Sequence, residues 1–378
     1  MTRLANHDFP SESLTTPPCP HFDECGACQL QHLKPDFYQS WKVAEVKKLL
    51  AENEITPETW LPTVFMGAGT RRRVAISALR EGDDLTIGFH RYHENSIASV
   101  KACLLLSPTL DKIYKRLPDV LTQLLPRGVQ VDVLLQEADG HAVDCVISGL
   151  TEMDGAKLGA KQTNLVARLA EHCDIRRVSF KNGEHTQPIP QIQLDKITKT
   201  SGALTVEISP GAFLQPSAEG EEALSNAVML ALGKLTKRDK VIDLFSGCGT
   251  FAGRILEKCN VHAIEADFGM SHSLKEAAKG HARFTAEARD LFKEPVSVRE
   301  MKDITAVVFD PPRAGAKEQC QKLAKTEIPL LVAVSCNPST FARDAKILTT
   351  GGYKLKSLQI FDQFIYTTHI ELVGVFVR

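Results

Sequence analysis

The sequence predicts an α/β chain: a β-rich domain followed by a doubly wound, largely parallel sheet of seven strands. Three observations carry that expectation. From about residue 206 strand-like apolar runs alternate with helical stretches, the pattern of βαβ units. From about 70 to 205 short β-like runs follow one another between turn residues, which suits an antiparallel sheet. The last two runs, YKLKSLQIF and HIELVGVFV, are joined by the short link FDQFIYTT. That link suits a hairpin rather than a helical crossover, so the final strand should return antiparallel.

Residues 1–18 are polar and proline-bearing and read as a mobile tail. Residues 19–35 hold three closely spaced cysteines. Residues 36–53 (DFYQSWKVAEVKKLLAEN) read as a helix, with Val43, Val46, Leu49 and Leu50 at helical spacing. This helix is a candidate to pack on the C-terminal domain. The span 19–205 is then a cysteine segment plus a β-rich central domain, with the runs RRVAISAL, LTIGFHRY, VQVDVLLQ, HAVDCVIS, IRRVSFKN and ALTVEIS. Helical stretches interrupt it near 109–125 and 160–172. The domain at 206–378 opens with the helix AEGEEALSNAVMLALGKL. Its first five strands are KVIDLF, VHAIEA, ARFTAEA, ITAVVFD and LLVAVSC, and a helix is expected at 339–349.

The chain has 378 residues, 43% of them hydrophobic and 24% charged, with a net charge of −1. Whole-chain charge therefore favours no class of partner. The local basic clusters (Arg71-Arg72-Arg73, Arg176-Arg177 with Lys181, Lys196 with Lys199) read as solvated faces unless a polyanion covers them. No apolar run approaches the length of a membrane helix, and the N-terminus lacks a signal-peptide core. Ten cysteines in such a chain suit a reducing cytoplasm, where metal binding or catalysis outranks disulfides. A monomer without membrane contact is expected.

Three apolar runs each carry one reactive residue at an end. Asp310 ends ITAVVFD, Cys336 ends LLVAVSC, and Glu371 lies at the start of the last strand. Ligands of open α/β sheets sit beyond the carboxyl ends of the parallel strands. An antiparallel last strand begins on that same edge, so the topology gathers two acids and a thiol. Cys336 is followed by Asn337-Pro338 and a helix, whose N-terminal dipole should lower the thiol pKa. A thiol flanked by carboxylates suits covalent attack followed by proton removal.

KVIDLFSGCGTFAGRIL reads as strand, glycine turn and helix. Gly247 and Gly249 let a ligand approach the backbone, and the helix start offers free N–H groups. One strand later Glu265 stands where an acid can bind ribose hydroxyls. Acid-first DLFSGCGTF with that second acid is similar to the loop of S-adenosylmethionine-binding methyltransferases. Cys19, Cys25 and Cys28 form C-x5-C-x2-C, and Cys103 in SVKACLLL is the candidate fourth ligand of a metal site. Their spacing alone does not separate zinc from iron–sulfur.

Taken together, ISPGAFLQ, DLFSGCGTF, DPPRAG, SCNPSTFARD and HIELV, in this order along the chain, resemble the RNA uridine-5-methyltransferase family over nearly all of residues 19–378. The resemblance implies a class I S-adenosylmethionine-dependent methyltransferase fold. It implies methylation of carbon 5 of a uridine, with Cys336 as nucleophile and Glu371 as base. Asp310 should read the uracil edge or the cofactor. Gln215, Phe245, Thr250 and Glu265 should line the cofactor site, and Asp290 should meet the adenine amino group. It implies that Cys19, Cys25, Cys28 and Cys103 hold a [4Fe–4S] cluster. Many relatives begin with a small RNA-binding barrel, for which 18 residues before Cys19 leave no room. Cluster-bearing members modify 23S ribosomal RNA, so ribosomal RNA is the expected substrate and transfer RNA the alternative. A reading of another class is an iron–sulfur RNA-binding protein without catalysis. An adenine amino-methyltransferase would carry an aromatic after the prolines, where this chain has Arg313.

Overall fold

The computed structural model describes residues 8–150, 159–183 and 186–378. Residues 1–7 of the expected tail lie outside this set. The rest of that stretch is not a free tail. Phe9 is buried, edge-on to Phe37 and Trp41, and Thr15 donates its N–H to the His32 carbonyl at 2.8 Å. Helix α1 (Pro35–Glu52) follows, then two short strands, β1 (Thr59–Trp60) and β2 (Val64–Phe65). Along α1 the buried residues are Tyr38, Lys42, Val46 and Leu50, one every four positions. That stripe faces the C-terminal domain, where Val46 and Leu50 enter its hydrophobic core.

The central domain is a seven-stranded sheet in the order β5-β4-β3-β6-β7-β8-β9. Its strands are β3 (Arg73–Glu81), β4 (Asp84–His90), β5 (Ile97–Ser99), β6 (Gln130–Glu137), β7 (Val143–Ser148), β8 (Arg177–Lys181) and β9 (Ile189–Gln193). Helices α2 (Pro108–Leu124) and α3 (Ala160–Cys173) pack on it around Leu110, Ile113 and Leu169. The sheet departs from all-antiparallel at one place. Strands β7 and β8 are parallel, because α3 lies between them as a crossover.

The run ALTVEIS was expected in this sheet and is not there. It forms β11 (Leu204–Glu207), paired only with β10 (Thr198–Ser201), and Leu204, Val206 and Ile208 join the core of the C-terminal domain. Strand runs of this length carry no signal for which domain they cover. The basic clusters also differ from solvated faces. Arg177 is buried against Asp144 at 2.8 Å, and Glu221 receives both Arg72 at 2.5 Å and Lys199 at 2.8 Å. Arg72 lies in the central domain and Glu221 in the first turn of α4 (Ala218–Leu232), so this buried triad joins the two parts.

The C-terminal domain runs β12 (Lys240–Leu244), α5 (Ala252–Leu256), β13 (Asn260–Glu265), α6 (Phe268–Ala277), β14 (Phe284–Ala288), β15 (Ala306–Phe309), α7 (Lys317–Leu323), β16 (Leu330–Ser335), α8 (Pro338–Thr350), β17 (Lys354–Asp362) and β18 (Glu371–Val377). The strand order is β17-β18-β16-β15-β12-β13-β14, with β18 alone antiparallel to its neighbours. The seven expected strands are all present. The N-terminal β1 and β2 extend the sheet by pairing parallel with β17. Two-residue strands leave no periodicity to read in advance. No described helix is long and apolar enough to cross a membrane.

Candidate active site

The sheet order brings the three reactive residues to one edge. Asp310 follows β15 and Cys336 follows β16, both at carboxyl ends. Strands β16 and β18 pair with Ser335 opposite Leu372, so one further step of that register sets Cys336 opposite Glu371. Glu371 is also paired with Phe361 of β17 and is buried. Next to this edge, Gln215 donates to the Asp310 carboxylate at 3.2 Å. Its own side-chain oxygen accepts from Gln363 at 2.9 Å.

Burial sets the protonation of this cluster. It pushes the Asp310 carboxyl up to about 7, against the hydrogen bond from Gln215. Burial raises the Glu371 carboxyl well above its usual range, and the Asp310 charge adds to this. Gln363 and Arg313 oppose the shift. The expected lowering of the Cys336 thiol is reversed. Burial, then the Glu371 and Asp310 charges, push it up to about 12, with Arg313 opposing. A backbone hydrogen bond to the thiol also opposes the shift, but less than burial and the two carboxylates raise it.

The glycine loop follows β12. Phe245 takes a left-handed backbone, φ 59°, and Gly247 and Gly249 have φ 52° and 80°. A side chain at Gly247 would meet no atom, so the loop leaves open space there. Glu265 braces the turn from the next strand: one oxygen accepts from the Gly247 N–H at 2.8 Å, the other from the Asp267 N–H at 2.9 Å. Thr250 is buried, with its hydroxyl 3.6 Å from the Cys248 sulfur. Asp290 lies two residues past β14, accepts from the Phe292 N–H at 3.0 Å and pairs with Lys293 at 3.1 Å. These contacts hold it below the usual carboxylate range.

Three residues here were given no role of their own from sequence. Asp243, inside β12, is fully buried; the Ala252 amide approaches it, but neither oxygen completes a hydrogen bond. Its place as the first acid before the glycine turn was the available signal. Phe292, 41% exposed, packs on Phe245 with ring centres 5.7 Å apart. Gln363 lies just past β17, and nothing in FDQFIYTT marks it. With Glu265, Asp310 and Glu371, Asp243 makes the edge acidic, which suits a ligand carrying positive charge.

The four cysteines of the N-terminal half also converge. Gly26, inside the triplet loop, donates its N–H to the His90 carbonyl at 3.0 Å, and Cys25 bridges to Arg91. That docks the loop on the end of β4, while Cys103 follows β5. Burial pushes the Cys28 thiol up to about 12, and the neighbouring Cys103, Cys25 and Cys19 add to the shift. All four are free thiols. Among the described residues no three His, Cys, Asp or Glu side chains gather tightly enough for one metal ion.

The tRNA (uracil-5-)-methyltransferase family model matches residues 274–378. An RNA methyltransferase of Mesorhizobium japonicum is 33% identical, over 95% of this chain and 84% of its own length. The 23S rRNA (uracil(1939)-C(5))-methyltransferase RlmD of Shewanella sp. strain MR-4 is 31% identical, over 99% of this chain and 84% of its own. The chain belongs to the S-adenosylmethionine-dependent RNA (uracil-5-)-methyltransferase family. The family read from the motifs is the one these relatives support. A member of solved structure, the tRNA (uracil-54, C5)-methyltransferase of Pyrococcus abyssi in complex with S-adenosyl-L-homocysteine, superposes with a TM-score of 0.68. That match covers 93% of this chain and 86% of that one at 22% identity, and it shows the shared fold, a mixed α/β methyltransferase sheet.

Proposed function

We propose that this chain methylates carbon 5 of a uridine in 23S ribosomal RNA through a covalent bond between Cys336 and the uracil ring. The observation that carries this reading is the β16–β18 register, which sets the thiol of Cys336 beside the buried Glu371. Carbon 5 of uracil is a weak nucleophile. Addition of the Cys336 sulfur to carbon 6 makes the ring an enolate whose electrons return through carbon 5. S-adenosylmethionine supplies the methyl group as a sulfonium. Glu371 then removes the carbon-5 proton, the carbon 6–sulfur bond breaks, and the thiolate is restored. The thiol stays protonated in the free protein, so thiolate formation belongs to the substrate-bound state.

The acidic edge and the loop support S-adenosylmethionine as the methyl donor. Open space beside Gly247, the unpartnered oxygens of Asp243 and the aromatic pair Phe245–Phe292 suit a cationic nucleoside. Gln215, Thr250, Glu265, Asp290 and Asp310 complete the assigned set. The relative RlmD, matched over 99% of this chain, supports ribosomal RNA over transfer RNA. The central sheet domain with the cysteine segment would then grip the RNA, in the cytoplasm.

We infer further that Cys19, Cys25, Cys28 and Cys103 hold a [4Fe–4S] cluster. The four thiols are free and act on one another electrostatically, which supports a shared thiolate site. The family resemblance supports a cluster over zinc there.

RNA carrying 5-fluorouridine tests the central step, because fluorine on carbon 5 cannot leave as a proton. The wild-type chain should form a denaturation-resistant adduct, and Cys336→Ala should not. An adduct with Cys336→Ala would remove Cys336 from the role.

A further inference from the structure

Glu371 is the one group in the proposed reaction whose carboxylate must arrive ionised and aimed at carbon 5. Its surroundings oppose this. It is buried, one of its oxygens has no hydrogen-bond partner, and Asp310 and Cys336 face it from β15 and β16. Arg313, after β15, is the positive charge that acts on it. Gln363 lies two residues past Phe361, the ladder partner of Glu371 on β17, and its carboxamide is the neutral group that acts on the base.

Gln363 is itself 5% exposed, and its placement is built. Its nitrogen donates to the Gln215 side-chain oxygen at 2.9 Å, and Gln215 donates onward to Asp310 at 3.2 Å. Its oxygen lies against the Cα of Gly220 in the first turn of α4, where any side chain would collide with it. Ser217 caps that turn through the Gly220 N–H at 3.0 Å. The Gln215 carbonyl is held in turn by Arg72 at 2.9 Å. One carboxamide therefore joins the loop that carries Gln215 to the start of α4, two residues past the ladder partner of the base on β18.

We propose that Gln363 is a positioning residue for the proton-removal step: held by Gln215 and the start of α4 beside the ladder partner of Glu371, it bridges to the Glu371 carboxylate and aims it. This rests on the assignment of Glu371 as base. Gln363 does not touch the reacting atoms, and its effect passes through Glu371. A carboxamide suits the task because its NH2 group has two donors, one for each partner.

The test uses the full-length protein and total RNA from cells that lack this gene, labelled with tritium at carbon 5 of uridine. Such RNA contains the substrate whichever RNA it is. Tritium release reports proton removal, and methyl incorporation into the covalent complex reports the earlier step. Gln363→Met keeps the volume and removes the donors. It should slow tritium release roughly 10- to 100-fold while leaving first-turnover methyl incorporation near wild type. The acid limb of its pH–rate profile should move to higher pH, because a donor to the carboxylate is gone. A merely structural role would move neither the ratio of the two steps nor the acid limb. Gln363→Glu, which places another carboxylate beside the base, should move the acid limb further up and serves if the methionine variant does not fold. Equal slowing of both steps, or an unmoved acid limb in a folded variant, overturns the proposal. Wild-type protein that releases no tritium, or Glu371→Gln that turns over normally, instead overturns the assignment of the base.

Discussion

Lys42 offers the sharpest test of how the N-terminal segment serves the site. Its ammonium is buried, 2.6 Å from Asp362 and 2.7 Å from the His369 carbonyl, and both members of the pair are 2% exposed. Asp362 ends β17, and His369 lies two residues before Glu371, so one helix residue ties down both ends of the β17–β18 link. Tyr38, one turn earlier, donates to the second Asp362 oxygen at 2.5 Å. Lys42→Met keeps the apolar stem and removes the charge. Asp362 then remains a buried carboxylate with only the tyrosine as donor. Breaking a buried pair on one side costs about 3–5 kcal/mol. The double variant Lys42→Met with Asp362→Asn leaves no stranded charge. It should lose about 2 kcal/mol less than the sum of the single changes. Urea unfolding, read on the first transition, measures both numbers. Turnover should fall on the order of 10-fold or more, because the link that delivers Glu371 loosens. Binding of S-adenosylhomocysteine should stay as in wild type, since the glycine loop is untouched. Additive single effects of under 1 kcal/mol each would refute the view that this pair braces the link.

Other outcomes follow from the same geometry. In the free protein at pH 8, Cys336 should react with iodoacetamide on the order of 10²–10³-fold more slowly than free cysteine, as peptide mass spectrometry can measure; Glu371→Gln should speed that reaction, and fast alkylation of wild type would contradict the raised thiol. Turnover needs ionised carboxylates and Asp310 is pushed up to about 7, so activity should fall as pH drops through neutrality, and an acid limb near pH 4 would contradict the burial argument. Anaerobically purified protein should carry about four iron and four sulfide, and Cys103→Ser should lower both, whereas stoichiometric zinc would count against the cluster. Gly253→Ala should destabilise the fold by about 1–3 kcal/mol in thermal unfolding, because the new methyl collides with the Ser201 carbonyl where the β10–β11 hairpin rests on α5.

Much of the C-terminal domain was legible because its strands are apolar and most are separated by helices; the helix expected between β14 and β15 is the exception, since no helix lies among the described residues there. The hairpin at its end could be read from a link too short for a crossover, and that fixed the edge on which Glu371 begins. The N-terminal half was harder to read for a physical reason. Its residues make their contacts with distant partners: β1 and β2 exist only as ladder neighbours of β17, and β11 takes its place from the core it covers. Lys42 shows this most directly. Helical spacing put the apolar stripe through Val43, Val46, Leu49 and Leu50. The observed stripe runs through Tyr38, Lys42, Val46 and Leu50, because a buried acid waits 320 positions away.

The candidate site divides the same way. Position along a strand is local information, so the ends that carry Asp310, Cys336 and Glu371 could be read from apolar runs. The sign of an electrostatic effect is not local. A thiol before a helix start reads as acidified when only the helix is in view. Folding adds two carboxylates from neighbouring strands and removes water, and each acts against the dipole. Desolvation of a buried charge outweighs a helix terminus, whose effect is worth about 0.3–1 kcal/mol at an exposed site. The same sheet edge that assembles the reactive groups therefore holds the thiol protonated until a substrate arrives. Gln363 belongs to this second kind of information: its carboxamide acquires meaning only where it meets Gln215 and the Gly220 backbone, two residues past the ladder partner of Glu371.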